Sequence, residues 1–193
     1  MKLLSEFSGI KRLVVKVGSN VVTDSNGDFM LSSMRSLVDD IYELKSIGVQ
    51  VVLVSSGAVN IGKRYIDSKL FKQRKIEAQQ AASSIGQPLL MSKYHDLFKS
   101  RGIVCSQVLL THDDFKSRHR FLNARRTIET LLESGITPIL NENDAISFTE
   151  ITVGDNDHLA AKTCALIGAD LLQLITSANG LYDKDPSHGD ARL

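Results

Sequence analysis

Residues 136–168 read ITPILNENDAISFTEITVGDNDHLAAKTCALIG, and they contain one full unit of an α/β fold. The apolar run Ile136–Leu140 predicts a strand. Leu159–Ile167 has the apolar spacing of a helix, and Gly168 marks its end. The polar loop 141–158 lies between them and holds five acidic residues and three asparagines, with no Lys or Arg. A strand, a loop and a helix in succession predict a parallel sheet covered by helices.

The polar loop 141–158 has a composition that suits a ligand site. In open α/β sheets, ligands bind at the carboxyl ends of the strands. Clustered carboxylates and amides at such a position suit an ammonium group, a metal–phosphate or both. Asn, Asp and Gly are also common in turns, so an ordinary surface loop is the alternative interpretation. The composition of this loop alone does not decide between the two.

The rest of the chain repeats the succession of strand and helix. Apolar runs predict four more strands, at 13–17, 49–54, 103–110 and 171–176. Helical spacing predicts helices over 32–47, 76–85 and 87–98, and a further helix that ends at Gly135. We therefore predict one domain, a three-layer α/β/α sandwich with a mainly parallel open sheet.

Several residues refine this prediction. Ser32 or Ser33 is the expected N-cap of its helix. Pro88 is expected near the start of a separate helix, because proline is favoured in the first turn. Pro138 lacks a backbone donor, so its strand is expected to be short or near an edge of the sheet. The polar and basic residues 63–75 are expected to form a mobile, solvated excursion between elements.

Small or polar residues follow three of the predicted strands, at Gly18–Asn20, Ser55–Ala58 and Asn141–Asp157. Because the carboxyl ends of parallel strands lie on one edge, we expect these loops to share an active site. Lys16 interrupts the first apolar strand. Since a buried unpaired ammonium is costly, its head must reach the strand end or meet an anion. A lysine that extends to solvent from an edge strand is the alternative.

The other motifs are less specific. Gly57–Lys63 has the spacing of a P-loop, but Arg64 follows where that motif needs Ser or Thr. The small residues Ser56–Ala58 would instead let a ligand approach the backbone, unless the glycines serve helix–strand packing alone. His112–Asp114 is expected to be a strand-end turn and helix cap rather than a metal cluster. Arg118–Arg126 is expected to be the exposed face of a helix.

Composition excludes several classes of protein. The formal net charge of +1 gives no global attraction to nucleic acid or to an anionic membrane. No apolar run is long enough to span a membrane, and the N-terminus lacks the apolar region of a signal peptide. Cys105 and Cys164 lie far apart in apolar runs, so we expect reduced core thiols and a cytoplasmic protein.

Six motifs resemble the amino-acid kinase family, in the order found there. They are VVKVGSN, VSSGAVNIG, RFLNARRT, ITPILNENDA, VGDNDHLAA and ITSANGLYDKDP. NEND followed by GDND is the most discriminating pair, and the resemblance covers the chain from about Lys11. It implies the amino-acid kinase fold and ATP-dependent phosphorylation of the side-chain carboxylate of L-glutamate to glutamyl 5-phosphate, the first step of proline biosynthesis. It also implies a magnesium requirement and a homo-oligomer, either a dimer or a tetramer.

The resemblance implies roles for individual residues. Lys16 would stabilise the charge on the transferring phosphoryl group, and Asp157 would organise that lysine. The N–H groups of Gly18 and Ser19 would face the phosphates. The residues expected to bind glutamate are Ser56, Gly57, Ala58, Asn141, Asp144 and Asn156, with Asp144 suited to the ammonium group. The residues expected to touch the nucleotide are Thr176 and Ser177. No side chain is expected to bind a metal directly.

The chain departs from the family pattern at three points. Ser177 stands where the family usually has Asp, and Asn20 where it often has Ser or Thr. The chain ends at Leu193, before a glycine-rich segment and a second lysine that the family uses for ATP. We therefore expect residues 1–193 to hold the acceptor-binding part and the start of the nucleotide-binding part, without a C-terminal RNA-modification-type domain. The alternatives are an acetylglutamate or uridylate kinase of the same family, or a glutamate-binding module without catalytic activity.

Overall fold

The computed structural model describes residues 9–146 and 155–176, with Asp155 described by its backbone alone. Its centre is a sheet of five parallel strands in the order β3-β4-β2-β1-β5. The strands are β1 (Arg12–Val17), β2 (Gln50–Ser55), β3 (Cys105–Leu110), β4 (Thr137–Glu142) and β5 (Leu171–Ile175). Each predicted strand is present close to its predicted position, which confirms the parallel sheet.

Eight helices are found in the described part of the chain. They are α1 (Ser19–Val22), α2 (Leu31–Ser46), α3 (Ala58–Lys63), α4 (Ser68–Gln73), α5 (Lys75–Lys99), α6 (His112–Lys116), α7 (Arg118–Glu133) and α8 (Asp155–Ile167). Helices α2, α3 and α5 contribute to the core on one face of the sheet. Helices α7 and α8 contribute to the core on the other face.

Side chains of β1 and β2 alternate between the two cores, as the pleat of a strand requires. The core on the side of α2 and α5 includes Leu13, Val15, Met34, Ile41, Val51, Leu53 and Phe98. The core on the side of α7 and α8 includes Val14, Val52, Val54, Ile128, Leu132 and Leu159. Both faces of the central strands are thus buried, which is why these strands are nearly continuous apolar runs. This arrangement confirms the three-layer sandwich.

Helix α5 is a single helix of 25 residues where the sequence predicted two. Pro88 lies inside it, so the prediction that a separate helix opens at Gln87 is wrong. An interior proline costs roughly 3 kcal/mol because it removes one backbone hydrogen bond and crowds the preceding turn. Buried residues on α5 run from Ala78 to Phe98, on both sides of the proline. Packing along the whole helix outweighs this local cost.

Two smaller predictions are also corrected. Met30 is the N-cap of α2, so Ser32 and Ser33 lie inside its first turn, and no side chain caps this helix. Residues 63–75 are mostly exposed, as predicted, but they include the helix α4. The Asp67 carboxylate caps α4 by accepting from the Lys69 N–H at 2.9 Å. This cap was not predicted from the sequence, because the segment is mainly basic and was expected to lack regular structure.

Strand β4 lies between β3 and β2, so the edge position inferred from Pro138 is wrong. The Thr137 N–H donates to the Val104 carbonyl on the β3 side. Because successive N–H groups of a strand point to opposite sides, the nitrogen of Pro138 faces β2. The pairing of β4 with β2 begins only at Ile139, opposite Leu53. The missing donor therefore falls before the ladder and removes no hydrogen bond from it.

Helices α3 and α5 are in direct backbone contact at two glycines. A Cβ on Gly62 would lie 1.8 Å from the Ala82 carbonyl oxygen, and a Cβ on Gly86 would lie 1.8 Å from the Ala58 carbonyl oxygen. No side chain fits at either position. Packing therefore accounts for Gly62 in the sequence GAVNIGK, but the packing is between two helices and not between a helix and a strand as proposed from the sequence. The contact fixes the start of α3, directly after β2, against the middle of α5.

Candidate active site

The register of the sheet places three strand ends side by side. Val17 of β1 pairs with Ser55 of β2. Leu140 of β4 pairs with Val54 of β2, so Asn141 follows beside Ser55. Strand β1 has β2 on one side and β5 on the other, and the chain crosses from one side to the other between β4 and β5. The site therefore lies at a switch point of the sheet, where open α/β folds bind ligands.

Lys16 forms an ion pair at this edge of the sheet. Its Nζ lies 2.6 Å from Asp157 Oδ1 at the start of α8. The Lys16 side chain is 13% exposed and that of Asp157 is 47% exposed, so the pair can be reached from solvent. β1 is an interior strand, which excludes the alternative of a lysine extending from an edge. The carboxylate compensates for the burial of the ammonium.

Asn156 joins three elements through its side-chain amide. Its Nδ2 donates to Ser56 Oγ at 2.8 Å, to Asn141 Oδ1 at 3.1 Å and to the Ser55 carbonyl at 3.2 Å. These contacts connect α8 to the ends of β2 and β4. Three of the residues predicted to bind substrate thus form one hydrogen-bonded cluster, next to the Lys16 ion pair.

Helix α5 holds the other wall of the site. The Asn141 Nδ2 donates to Gln87 Oε1 at 2.8 Å, and Ser83 Oγ donates to Asp144 Oδ2 at 2.8 Å. Ser83 and Gln87 are one helical turn apart, and Asp144 is buried, with 7% of its surface exposed. Sequence reasoning missed both helix residues. Their only signal is that they are polar side chains on the buried face of a helix rich in small residues.

A cleft of about 170 Å³ opens between α5 and the carboxyl ends of β3 and β4. Its lining residues are Ser83, Ser84, Gln87, Pro88, Gln107, Leu109, Glu142, Asn143, Asp144 and Ala145. The lining combines two carboxylates with several amides and hydroxyls. Such a lining suits a small polar ligand that carries both an ammonium and a hydrogen-bond acceptor.

Tyr94 supports the loop after β2 from inside the protein. Its hydroxyl lies 2.9 Å from Ser55 Oγ, and both groups are buried. The Ser55 hydroxyl donates to the Ser56 carbonyl at 3.2 Å, so Tyr94 is the donor to Ser55. Burial raises the pKa of the Tyr94 phenol well above its ordinary value. The hydrogen bonds hold the backbone to which Asn156 binds.

Four further predicted site residues, Gly57, Ala58, Gly18 and Ser19, lie just after β1 and β2. Gly57 has φ +109 at the N-cap of α3, a conformation that favours glycine. The side chain of Ala58 is buried. The Gly18 N–H donates to the Ile175 carbonyl at 3.1 Å, so the expectation that it faces a phosphate is wrong. This hydrogen bond extends the pairing of β1 with β5 by one residue. Ser19 is the first residue of α1, and the N–H groups in the first turn of a helix lack partners within the helix.

The segment His112–Asp114 begins the helix α6, as predicted. Asp114 Oδ2 accepts from the Thr111 N–H at 2.6 Å, and the Thr111 side chain accepts from the Asp114 N–H, which together form a capping box. Lys162 Nζ lies 2.8 Å from His112 Nδ1. Over residues 9–146 and 155–176, no three or more His, Cys, Asp or Glu side chains are grouped so that they could hold a metal ion.

The remaining predicted residues are less informative. Cys105 and Cys164 are free and partly buried, and burial raises the pKa of both thiols. Thr176 is exposed directly after β5, and Ser177 lies outside the described residues. None of the helices described here is both long enough and apolar enough to cross a membrane.

Comparison with known proteins places this architecture in a family. The profile of the amino acid kinase family matches residues 11–193, almost the entire chain. The chain therefore belongs to the amino acid kinase family.

Two curated proteins similar to this chain are named as glutamate 5-kinases. Glutamate 5-kinase 2 of Bacillus subtilis (strain 168) is 45% identical over 181 residues, which are 93% of this chain and 48% of that protein. Glutamate 5-kinase of Maridesulfovibrio salexigens is 48% identical over 176 residues, which are 91% of this chain and 46% of that protein. The chain thus spans about half the length of the curated relatives it matches.

A solved structure with the same fold is the T. acidophilum isopentenyl phosphate kinase in its product complex. The two chains superpose with a TM-score of 0.66 at 16% sequence identity, over 95% of this chain and 78% of that one. At this identity the likeness concerns the fold alone. It agrees with the predicted α/β/α architecture.

Proposed function

We propose that this chain carries the acceptor-binding part of an ATP-dependent kinase for L-glutamate. The reaction would phosphorylate the side-chain carboxylate to glutamyl 5-phosphate, the first step of proline biosynthesis. The observation that carries the proposal is the Lys16–Asp157 ion pair beside the cluster of Ser56, Asn141 and Asn156. Similarity to proteins named glutamate 5-kinase supports the choice of acceptor.

The acceptor would bind between the cluster and the cleft. Asp144 supplies a buried carboxylate for the ammonium of glutamate, and Ser83 holds one of its oxygens in place. Ser56 and Asn156 would hold the other end of glutamate, near Lys16. Gly57 and Ala58 would leave room for the ligand beside the backbone of the β2 loop.

Phosphoryl transfer would rely on positioning and charge rather than on a base. The attacking carboxylate is already ionised at neutral pH, so no proton has to be removed. The Lys16 ammonium would stabilise the charge on the transferring group, and Asp157 would hold that ammonium in position. The nucleotide would contact Ser19, Thr176 and Ser177. Gly18, which has no side chain, would let the nucleotide approach Lys16 closely.

Magnesium would enter the site bound to ATP. Mg²⁺ commonly combines few protein carboxylates with the phosphates of a substrate, whose charge it neutralises. Asp157 is already paired with the Lys16 ammonium, so we assign no side chain of this chain as a direct ligand of the metal. We further propose a cytoplasmic homo-oligomer, a dimer or tetramer. Two free thiols agree with a reducing compartment.

The test is to trap the acyl phosphate with hydroxylamine. The protein is incubated with ATP, Mg²⁺ and one of three acceptors, L-glutamate, L-aspartate or N-acetyl-L-glutamate. We expect ATP-dependent hydroxamate with L-glutamate at least about tenfold faster than with the other two. Faster reaction with N-acetyl-L-glutamate would contradict the proposed acceptor, since an acetylated nitrogen has no ammonium for Asp144. Glutamate binding without hydroxamate would instead favour a binding module.

A further inference from the structure

We propose that Gln87 is an acceptor-binding residue whose side-chain Nε2 donates a hydrogen bond to the α-carboxylate of the amino-acid acceptor. This inference rests on the proposed function and deepens it. It assigns a donor from helix α5 to the end of the substrate opposite to the reacting carboxylate. The orientation of each amide in the site identifies this donor.

The orientation of Asn141 is fixed by a backbone group. The Glu142 N–H donates to the Asn141 side chain at 2.9 Å, and only an oxygen can accept there. The Asn156 amide, which also donates to the Ser55 carbonyl, meets the same oxygen at 3.1 Å. Two donors thus require Oδ1 on this side of Asn141, and its Nδ2 must point the other way, toward α5.

The orientation of Gln87 follows from that of Asn141. The Asn141 Nδ2 is a donor only, so the Gln87 atom 2.8 Å away must be the oxygen Oε1. The Nε2 of Gln87 is therefore turned away from Asn141. Within the described chain no acceptor lies within hydrogen-bonding distance of Nε2, although the residue is only 7% exposed. Gln87 is also one of the residues that line the cleft.

An amide donor at the wall of a cleft, with no hydrogen bond of its own within the described chain, is available to an acceptor on a ligand. Asp144, in the same cleft, offers a carboxylate for an ammonium, and it is held by Ser83, one turn before Gln87 on α5. Residues one turn apart on a helix have Cβ atoms about 5–6 Å apart, so Ser83 brings the Asp144 carboxylate to the same wall of the cleft as Gln87. A ligand that carries an ammonium and a carboxylate on one carbon fits a carboxylate and an amide donor that line one cleft. The reacting side-chain carboxylate then extends toward Lys16.

The test compares two ligands on three proteins. L-Glutamate and 4-aminobutanoate differ only by the α-carboxylate, and their dissociation constants are measured by ligand-observed NMR titration. The proteins are the wild type, Gln87→Met, and Gln73→Met as the matched control. Gln73 is an exposed glutamine at the end of α4 and is not among the residues that line the cleft. A thermal melt of each protein confirms folding.

We expect Gln87→Met to raise the dissociation constant for L-glutamate about 10- to 100-fold, the range for a hydrogen bond to a charged group. The constant for 4-aminobutanoate should change less than about twofold, and Gln73→Met should leave both constants nearly unchanged. Gln87→Glu keeps the acceptor for Asn141 but replaces the donor by a charged oxygen. It should weaken the binding of L-glutamate at least as much as Gln87→Met does.

Three results would overturn the inference. Unchanged glutamate binding in Gln87→Met excludes the hydrogen bond. An equal loss of affinity for both ligands in Gln87→Met indicates a structural role for Gln87, without contact to the α-carboxylate. An equal loss of affinity in Gln73→Met excludes a specific role for Gln87. Absence of glutamate binding by the wild type would overturn the proposed function itself, so the two failures are distinguishable.

Discussion

Lys16 shows how a single residue can mark a site. A lysine in a buried strand needs either an anion or a path to solvent, because an isolated ammonium in the core is costly. The structure supplies both, through Asp157 and through the open edge of the sheet. The pair is only partly buried, so its value lies in presenting a fixed positive charge rather than in stabilising the fold.

Replacing Lys16 separates catalysis from acceptor binding. Lys16→Met should lower kcat for hydroxamate formation about 100- to 1000-fold, the range found when one group that stabilises transition-state charge is removed. The dissociation constant for L-glutamate, measured by calorimetry, should change less than about threefold. The control is Lys11→Met, which removes an exposed lysine near the opposite end of β1. A Lys16→Met variant with normal kcat would exclude the proposed role.

The site residues differ in how far the sequence reveals them. Lys16 and Asn156 stand at strand and helix ends, where the pattern of a parallel sheet predicts ligands. Ser83, Gln87 and Tyr94 lie within one helix, and nothing local distinguishes them from other buried residues. Their roles depend on hydrogen bonds to the distant segments β2 and β4, which only the folded chain brings within reach.

Among the elements, α5 does most to position the site. One face of this helix contacts the end of β2 through Tyr94, the end of β4 through Gln87 and the following segment through Ser83. The same helix packs against α3 at Gly62 and Gly86. A continuous helix keeps these contacts in one rigid frame, which two separate helices would not do.

The crossing of α3 and α5 can be tested through Gly62. Gly62→Ala should lower the free energy of unfolding by about 3 kcal/mol, because the added Cβ meets the backbone of Ala82 and cannot be relieved by a side-chain rotation. The matched control is Gly135→Ala, where φ is +72 and no atom lies within 4 Å of the added Cβ. That control should cost only about 1 kcal/mol of backbone strain. Chemical denaturation of both variants measures the difference, and equal losses would argue against the close contact.

Tyr94 provides a test with a defined dependence on pH. Tyr94→Phe should lower the free energy of unfolding by about 1 kcal/mol at pH 7, because Ser55 loses its buried partner. Burial raises the pKa of Tyr94 above its ordinary value of 10.0. The unfolded chain therefore releases this proton first, and the wild type loses stability as the pH rises above that value.

The difference between wild type and Tyr94→Phe should accordingly shrink between pH 9 and pH 11. Denaturation curves at several pH values measure it. Tyr42→Phe, at a position 42% exposed, is the control and should show little change at any pH. A difference that grows with pH would mean that the phenol ionises more readily in the folded protein, contrary to its burial.

At the scale of the whole molecule, the alternation of strands and helices was sufficient to predict the sheet. Buried strands give continuous apolar runs, and each helix between them ends at a glycine or a polar turn, so periodicity reveals both. Periodicity did not reveal that α5 is continuous, since Pro88 locally favours a break. The expectation for β4 came from Pro138 and not from periodicity, and the sequence did not show how this proline is accommodated, since the ladder offset is a property of the paired strands.

We propose above all that the carboxyl edge of this sheet selectively binds L-glutamate. A calorimetric titration of the chain with L-glutamate tests it directly, with L-aspartate and N-acetyl-L-glutamate as controls and Asp144→Asn as the site variant. We predict binding of L-glutamate, at least about tenfold weaker binding of the two controls, and a loss of about 10-fold or more in Asp144→Asn. A folded chain that binds none of the three, or that binds L-glutamate equally well without the Asp144 carboxylate, would contradict the account.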